Sequence, residues 1–253
     1  MPSAILFCVV VILGMLAARI GAWLGQKRAL KGLKEGVYSI TSSVTAMLGL
    51  LAFMLGFTFS LTANRFSERR TLVVRQANAI GTSYLRTSLI PEKQKLIIRN
   101  LLHQYTKILL NVRTAPDIKK EIVRLAEIKS SIWQQTSSLV QEQQMDSEIR
   151  SLFISSINNV IELENERITV ALIFRLPPHL WISLLMIFFL SMLCLGYQED
   201  DDKLQRQFNA LILSASFAMV MTLIADMDSL GPHSFRVSQQ PLEELQIMMQ
   251  QDP

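Results

Sequence analysis

The chain has 253 residues, half of them hydrophobic, with a mean hydropathy of +0.29 and a formal net charge of +4. Ordinary soluble domains are rarely so apolar, so a membrane protein is expected. The basic residues are scattered through a mixed-charge middle region without aromatic platforms, which gives no support to a nucleic-acid partner.

A bilayer core of about 30 Å takes roughly 20 apolar residues in a helix, and residues 4–24, 44–63, 176–197 and 208–225 each meet that demand. The first run has no basic n-region and is followed directly by Lys27 and Arg28, which favours an uncleaved helix over a signal peptide. Cys8 and Cys194 both fall inside these runs, so a disulfide framework is excluded and each reads as a small packing residue.

The second run continues past Asn64 into charged residues without a proline, which predicts one long helix, half in lipid and half in water. At about 100° per residue, Ala52, Gly56 and Ala63, with Gly49 at the edge, share one stripe, and Phe53, Phe57, Ser60 and Asn64 share the next. Small residues four apart let helix backbones approach closely. The aromatic and polar stripe has two readings. Phe53 and Phe57 fill a helix bundle, or the stripe from every subunit of an oligomer meets on an axis, where rings of phenylalanine form a constriction that gates by dewetting.

Residues 64–175 hold no long apolar run and little strand-like alternation, and read as a helical soluble domain. Pro91 and Pro116 mark places where helices can begin. Ile118, Ile122, Leu125, Ile132 and Leu139, then Ile149, Phe153 and Val160, recur at helical spacing and predict two amphipathic helices. In "RLPPHLW", Pro177 and Pro178 stop the preceding helix, and His179 and Trp181 suit a membrane interface.

Four spans place both termini and the middle domain on one side. Charge does not decide which side, because Arg65, Arg69, Arg70, Arg75, Arg167 and Arg175 are balanced by Lys27, Arg28, Lys31 and Lys34 in the first short loop. Arg65, Arg69 and Arg70 read equally as an electropositive vestibule or as anchors to lipid headgroups. Asp226 and Asp228 close the fourth span at the unfavourable end of a helix dipole, where Arg65 or Arg69 would be suitable ion-pair partners.

No catalytic or cofactor motif stands out. His103, His179 and His233 lack metal-ligand spacing, there is no GxSxG or glycine-rich phosphate loop, and neither a metal nor a cofactor is expected. Glu162 and Glu166 share a helix face but have no E-x-x-H partner, so a solvated or salt-bridged face is expected there. The acidic run Glu199, Asp200, Asp201 and Asp202 reads as a solvated loop.

The stretch "FMLGFTFSLTANRF", residues 53–66, resembles the second transmembrane helix of bestrophin channels. The following Glu68, Arg70 and Leu72, then Asn78 and Ala79, are similar to bacterial bestrophins. The segments "ERRTLVVRQANAIGTSYLR", "RLPP" and "RVSQQPL" resemble a bacterial bestrophin-like family more closely still. The resemblance implies an all-α protein with four transmembrane helices, and a cytosolic helical bundle between the second and third. The domains are then 1–63, 64–175, 176–227 and a cytosolic tail, 228–253.

It also implies a homopentamer in the bacterial inner membrane, with both termini cytoplasmic, passing inorganic ions and not acting as an enzyme. Phe53 and Phe57 correspond to the pore neck, with Gly49, Ser60 and Asn64 extending the lining, while Gly49 and Ser67 replace bulkier residues of bestrophins. The run 199–202 is not at the place of the bestrophin calcium clasp. The alternative function is a non-conducting membrane scaffold or sensor whose helical bundle binds a partner.

Overall fold

The computed structural model describes residues 3–29, 37–112, 115–141, 145–172, 176–198, 203–229 and 237–251. Lys31, Lys34, Arg175, His233 and the acidic run 199–202 lie outside them. Among the described residues there are eight α-helices and no strand: α1 (Ser3–Ala29), α2 (Val37–Arg86), α3 (Glu92–Asn111), α4 (Ile118–Ser138), α5 (Ser147–Leu172), α6 (Pro178–Tyr197), α7 (Lys203–Asp228) and α8 (Gln240–Gln251). Helices α1, α2, α6 and α7 are long and apolar enough to cross a membrane. With no proline to break it, α2 runs for 50 residues, about 75 Å at 1.5 Å per residue.

The chain divides into two compact units, one of Met1–Phe66 with Arg175–Arg236 and one of Ser67–Phe174 with Val237–Pro253. In the first, α1, α6 and α7 approach one another most closely. Val10, Leu184, Phe188, Met192, Ala218 and Met221 fill their core, and α2 adds Leu51 and Leu55. Phe188 meets Phe217 edge to face at 6.0 Å.

Glycine sets the approach of α1 to α6. A Cβ on Gly21 would meet the carbonyl oxygen of Leu193, and one on Gly196 the carbonyl oxygen of Ala18. Near the end of this seam, Arg28 donates to the Tyr197 hydroxyl at 3.1 Å. The small stripe of α2 is different. Ala52 is exposed and a Cβ on Gly49 or Gly56 would meet open space. The close packing expected of that stripe is therefore not made inside the subunit, because α2 turns its leucine and threonine side to the core.

Helix α6 begins at Pro178, with extended Pro177 as its N-cap, a position that tolerates a missing N–H. The expected start at 176 is two residues early, since the Leu176 N–H is taken by the Asp228 carboxylate at 3.1 Å.

In the second unit, Pro91 is the N-cap of α3, and Asp117 caps α4 by accepting from the Lys120 N–H. Leu125, Ile132, Leu139, Phe153 and Val160 are buried as their periodicity predicts, whereas Ile118, at the first turn of α4, is exposed. The chain returns after α7 to lay α8 on this unit, burying Leu242, Leu245 and Met249. Leu245 packs against Gly81, where a Cβ would stand 3.2 Å from it.

Candidate functional site

Two opposite sides of α2 define the site. Val44, Leu51, Leu55, Thr58 and Thr62 form its buried side. The two hydroxyls bond back to Met54 and Thr58 carbonyls at 2.7 and 2.8 Å, which satisfies them without a neighbour. On the other side Phe53 is 69% exposed and Phe57 50%, and Gly49, Ser60 and Asn64 are exposed with them. Phe53 and Phe57 therefore do not fill the subunit's own bundle. Phenylalanine alone could face lipid, but the Asn64 amide brings two donors and an acceptor that hydrocarbon cannot meet.

The arginines beyond the span differ in their exposure. Arg65 and Arg69 are half-buried, with Nη1 of Arg65 and Nε of Arg69 fully enclosed, while Arg70 is exposed. Asp226 is half-buried and Asp228 is engaged by the Leu176 backbone.

The second unit contains a buried polar cluster that periodicity did not single out. The Tyr105 hydroxyl donates to Glu164 at 2.7 Å, and the Gln76 amide donates to Tyr105 at 3.2 Å. Arg167 donates to Gln76 at 2.6 Å and to Gln239 at 2.9 Å, and Lys129 pairs with Glu164 at 3.2 Å. Glu164 is only 3% exposed, yet both its oxygens have donors, as a buried carboxylate needs. The signal was present: at about 100° per residue Glu164 continues the buried stripe of Phe153, Ile157 and Val160.

Burial, then the negative charge of Glu164, pushes the Tyr105 phenol well above its ordinary value. The neutral phenol thus stabilises the fold below about pH 10, and that stability is lost as pH rises further, because the unfolded phenol ionises first. Tyr105→Phe removes the donor to Glu164 and the acceptor for Gln76. It is expected to cost about 1–3 kcal/mol, read as a lower unfolding temperature; an unchanged temperature would show the cluster to be unimportant to stability.

Glu162 and Glu166 are both exposed, and Glu166 meets Arg75 at 3.4 Å. Among the described residues no three His, Cys, Asp or Glu side chains gather where they could hold a metal ion.

Four apolar helices, with a second helical unit drawn from residues 67–174 and 237–253, define a multi-pass helical membrane protein. The bestrophin-like domain matches residues 10–242, and the chain belongs to the bestrophin-like family, as the resemblance of residues 53–66 and their neighbours implies. No curated protein matches the chain significantly.

Among solved structures the fold is similar to a bacterial bestrophin homolog from Klebsiella pneumoniae. A tryptophan-to-alanine variant of it matches with a TM-score of 0.78 at 14% identity, covering 99% of this chain and 98% of that one. The structure obtained by zinc phasing matches with a TM-score of 0.73 at 15% identity, covering 97% and 99%.

Proposed function

We propose that the chain is one subunit of a bestrophin-like ion channel, passing inorganic ions passively along an axis lined by α2. The observation that carries this reading is the exposed side of α2, where Phe53 and Phe57 are followed by Ser60 and Asn64, all four left exposed by the described residues. In a homopentamer the two phenylalanine rings form an apolar neck, which water leaves easily and ions cross only when it is wet. Gly49 widens one end of it, and Ser60 and Asn64 give ions a polar surface beyond the other. Arg70 is the exposed member of the basic vestibule, next to Arg65 and Arg69. The helical unit and both termini lie in the cytoplasm, with the spans in the bacterial inner membrane, and no cofactor is needed for conduction.

A cysteine at Phe57, in a background with Cys8 and Cys194 replaced by alanine, tests the axis. Oxidation is expected to join neighbouring subunits through that cysteine. Efficient joining through a cysteine at Gly56 or Ala52, with none at Phe57, would replace the channel by a scaffold whose phenylalanines face away from any axis.

A further inference from the structure

Within the second unit, α8 is held by one row of side chains, Leu242, Leu245 and Met249, spaced by three and four residues and all buried. Leu245 lies against Gly81 of α2. Just before the helix, the Gln239 side chain accepts from Arg167 at 2.9 Å. An isolated helix of about 12 residues is marginal in water, so α8, which has 12, stays helical because this row is docked.

Met249 is the member of the row with polar neighbours. The Tyr84 hydroxyl donates to its carbonyl at 3.4 Å, and the Thr106 hydroxyl stands 4.0 Å from its sulfur. A hydroxyl has a single proton to donate, and the shorter bond of Thr106, 2.9 Å, goes to the Leu102 carbonyl. A thioether, only a weak acceptor, tolerates that arrangement. A sulfoxide does not, because its oxygen is a strong acceptor enclosed beside a hydroxyl that has no proton to spare, which carries the cost of a buried unsatisfied polar group.

The sulfur is also within reach of an oxidant. Met249 lies in the last turn of α8, two residues from Gln251. Helix ends fray, and fraying brings a side chain that is 4% exposed when docked into contact with water. A sulfur lone pair then attacks one oxygen of hydrogen peroxide; the O–O bond breaks as the S–O bond forms, and the proton of the transferred oxygen passes to the departing one, which leaves as water. The sulfur is oxidised by two electrons and the peroxide is reduced.

We infer that Met249 makes α8 a redox-sensitive strap: oxidation of its sulfur by a peroxide frees α8 from α2 and α3 and uncovers the apolar site that holds Leu242 and Leu245. The inference stands apart from the channel reading. The change is reversible, since methionine sulfoxide reductases restore the thioether.

The test exposes the full chain in detergent to hydrogen peroxide and follows two readouts, sulfoxide at each methionine by mass spectrometry and amide hydrogen exchange across residues 240–251. Exchange there is expected to rise about tenfold or more as Met249 sulfoxide accumulates, and to fall back after treatment with methionine sulfoxide reductase. Met249→Leu, close in volume, keeps the strap docked and should abolish the response, whereas Met248→Leu, at the half-buried neighbour, should respond as the wild type does. Met249→Gln should loosen α8 without any oxidant. Unchanged exchange in wild type whose Met249 is fully oxidised would overturn the inference, and so would a Met249 left intact by peroxide that converts Met248. An equal response in Met249→Leu would also overturn it, by placing the sensitivity at another residue.

Discussion

Alanine at Phe57 is expected to raise ion flux through the reconstituted protein by roughly tenfold, the effect of lowering a barrier by about 1.4 kcal/mol. The side chain stands half exposed on the side of α2 away from the subunit core, so its loss leaves no cavity in the subunit and the oligomer should survive, as size exclusion with light scattering would show. In the proposed pore it removes an apolar ring at the constriction, and wetting of the neck becomes easier. Phe53→Ala, at an even more exposed position, should act in the same direction. Opposed gradients of chloride and of sodium across the liposome then identify the permeant ion, which a ring of phenylalanine does not choose. Equal flux in wild type and both variants would take the two residues off the pore.

The other large effect is expected at Gly196. Valine there places a side chain against the backbone carbonyl of Ala18, and a backbone atom cannot swing aside as a flexible side chain does. Overpacking usually costs about 1–3 kcal/mol and sometimes more. The upper end is expected here, because helices in a bilayer are held by packing and not by a hydrophobic force between them. The α1 and α6 seam should open and little folded protein should survive extraction. Gly56→Val is the counterpart: its Cβ meets open space in the subunit, so subunit stability should change by less than about 0.5 kcal/mol. A stable Gly196→Val protein would mean that the seam is not limited by glycine.

Much of the fold was legible because it rests on length and period. Four apolar runs became four long helices, and Pro91, Pro116 with Asp117, and Pro177 with Pro178 stand at helix starts, where their missing N–H or capping side chain is useful. The family too was legible in residues 53–66 and the segments after them, at an identity to solved structures of only about one residue in seven.

Periodicity says which residues share a side of a helix, but not what lies across from it. The stripe of Ala52 and Gly56 was read as a packing surface, yet among the described residues the tight glycine contacts belong to Gly14, Gly21, Gly25 and Gly196, in helices α1 and α6, which are apolar over most of their length. The cluster of Gln76, Tyr105, Glu164 and Arg167 escaped for the same reason. Its members come from α2, α3 and α5, and apart from Glu164, whose place on a buried stripe was readable, each looks like an ordinary polar residue until the fold brings them within hydrogen-bond distance.

The seam between α1 and α6 also has a meaning for how the protein is made. Helix α1 is synthesised long before its closest partner, α6, whose glycine is residue 196. Until translation has passed that point, α1 must wait in the bilayer with its glycines shielded only by lipid or by the insertion machinery, while the whole of α2 to α5 is synthesised. Packing of α1 is therefore a late event, and a chain stalled before α6 would offer quality-control proteases an unmated α1.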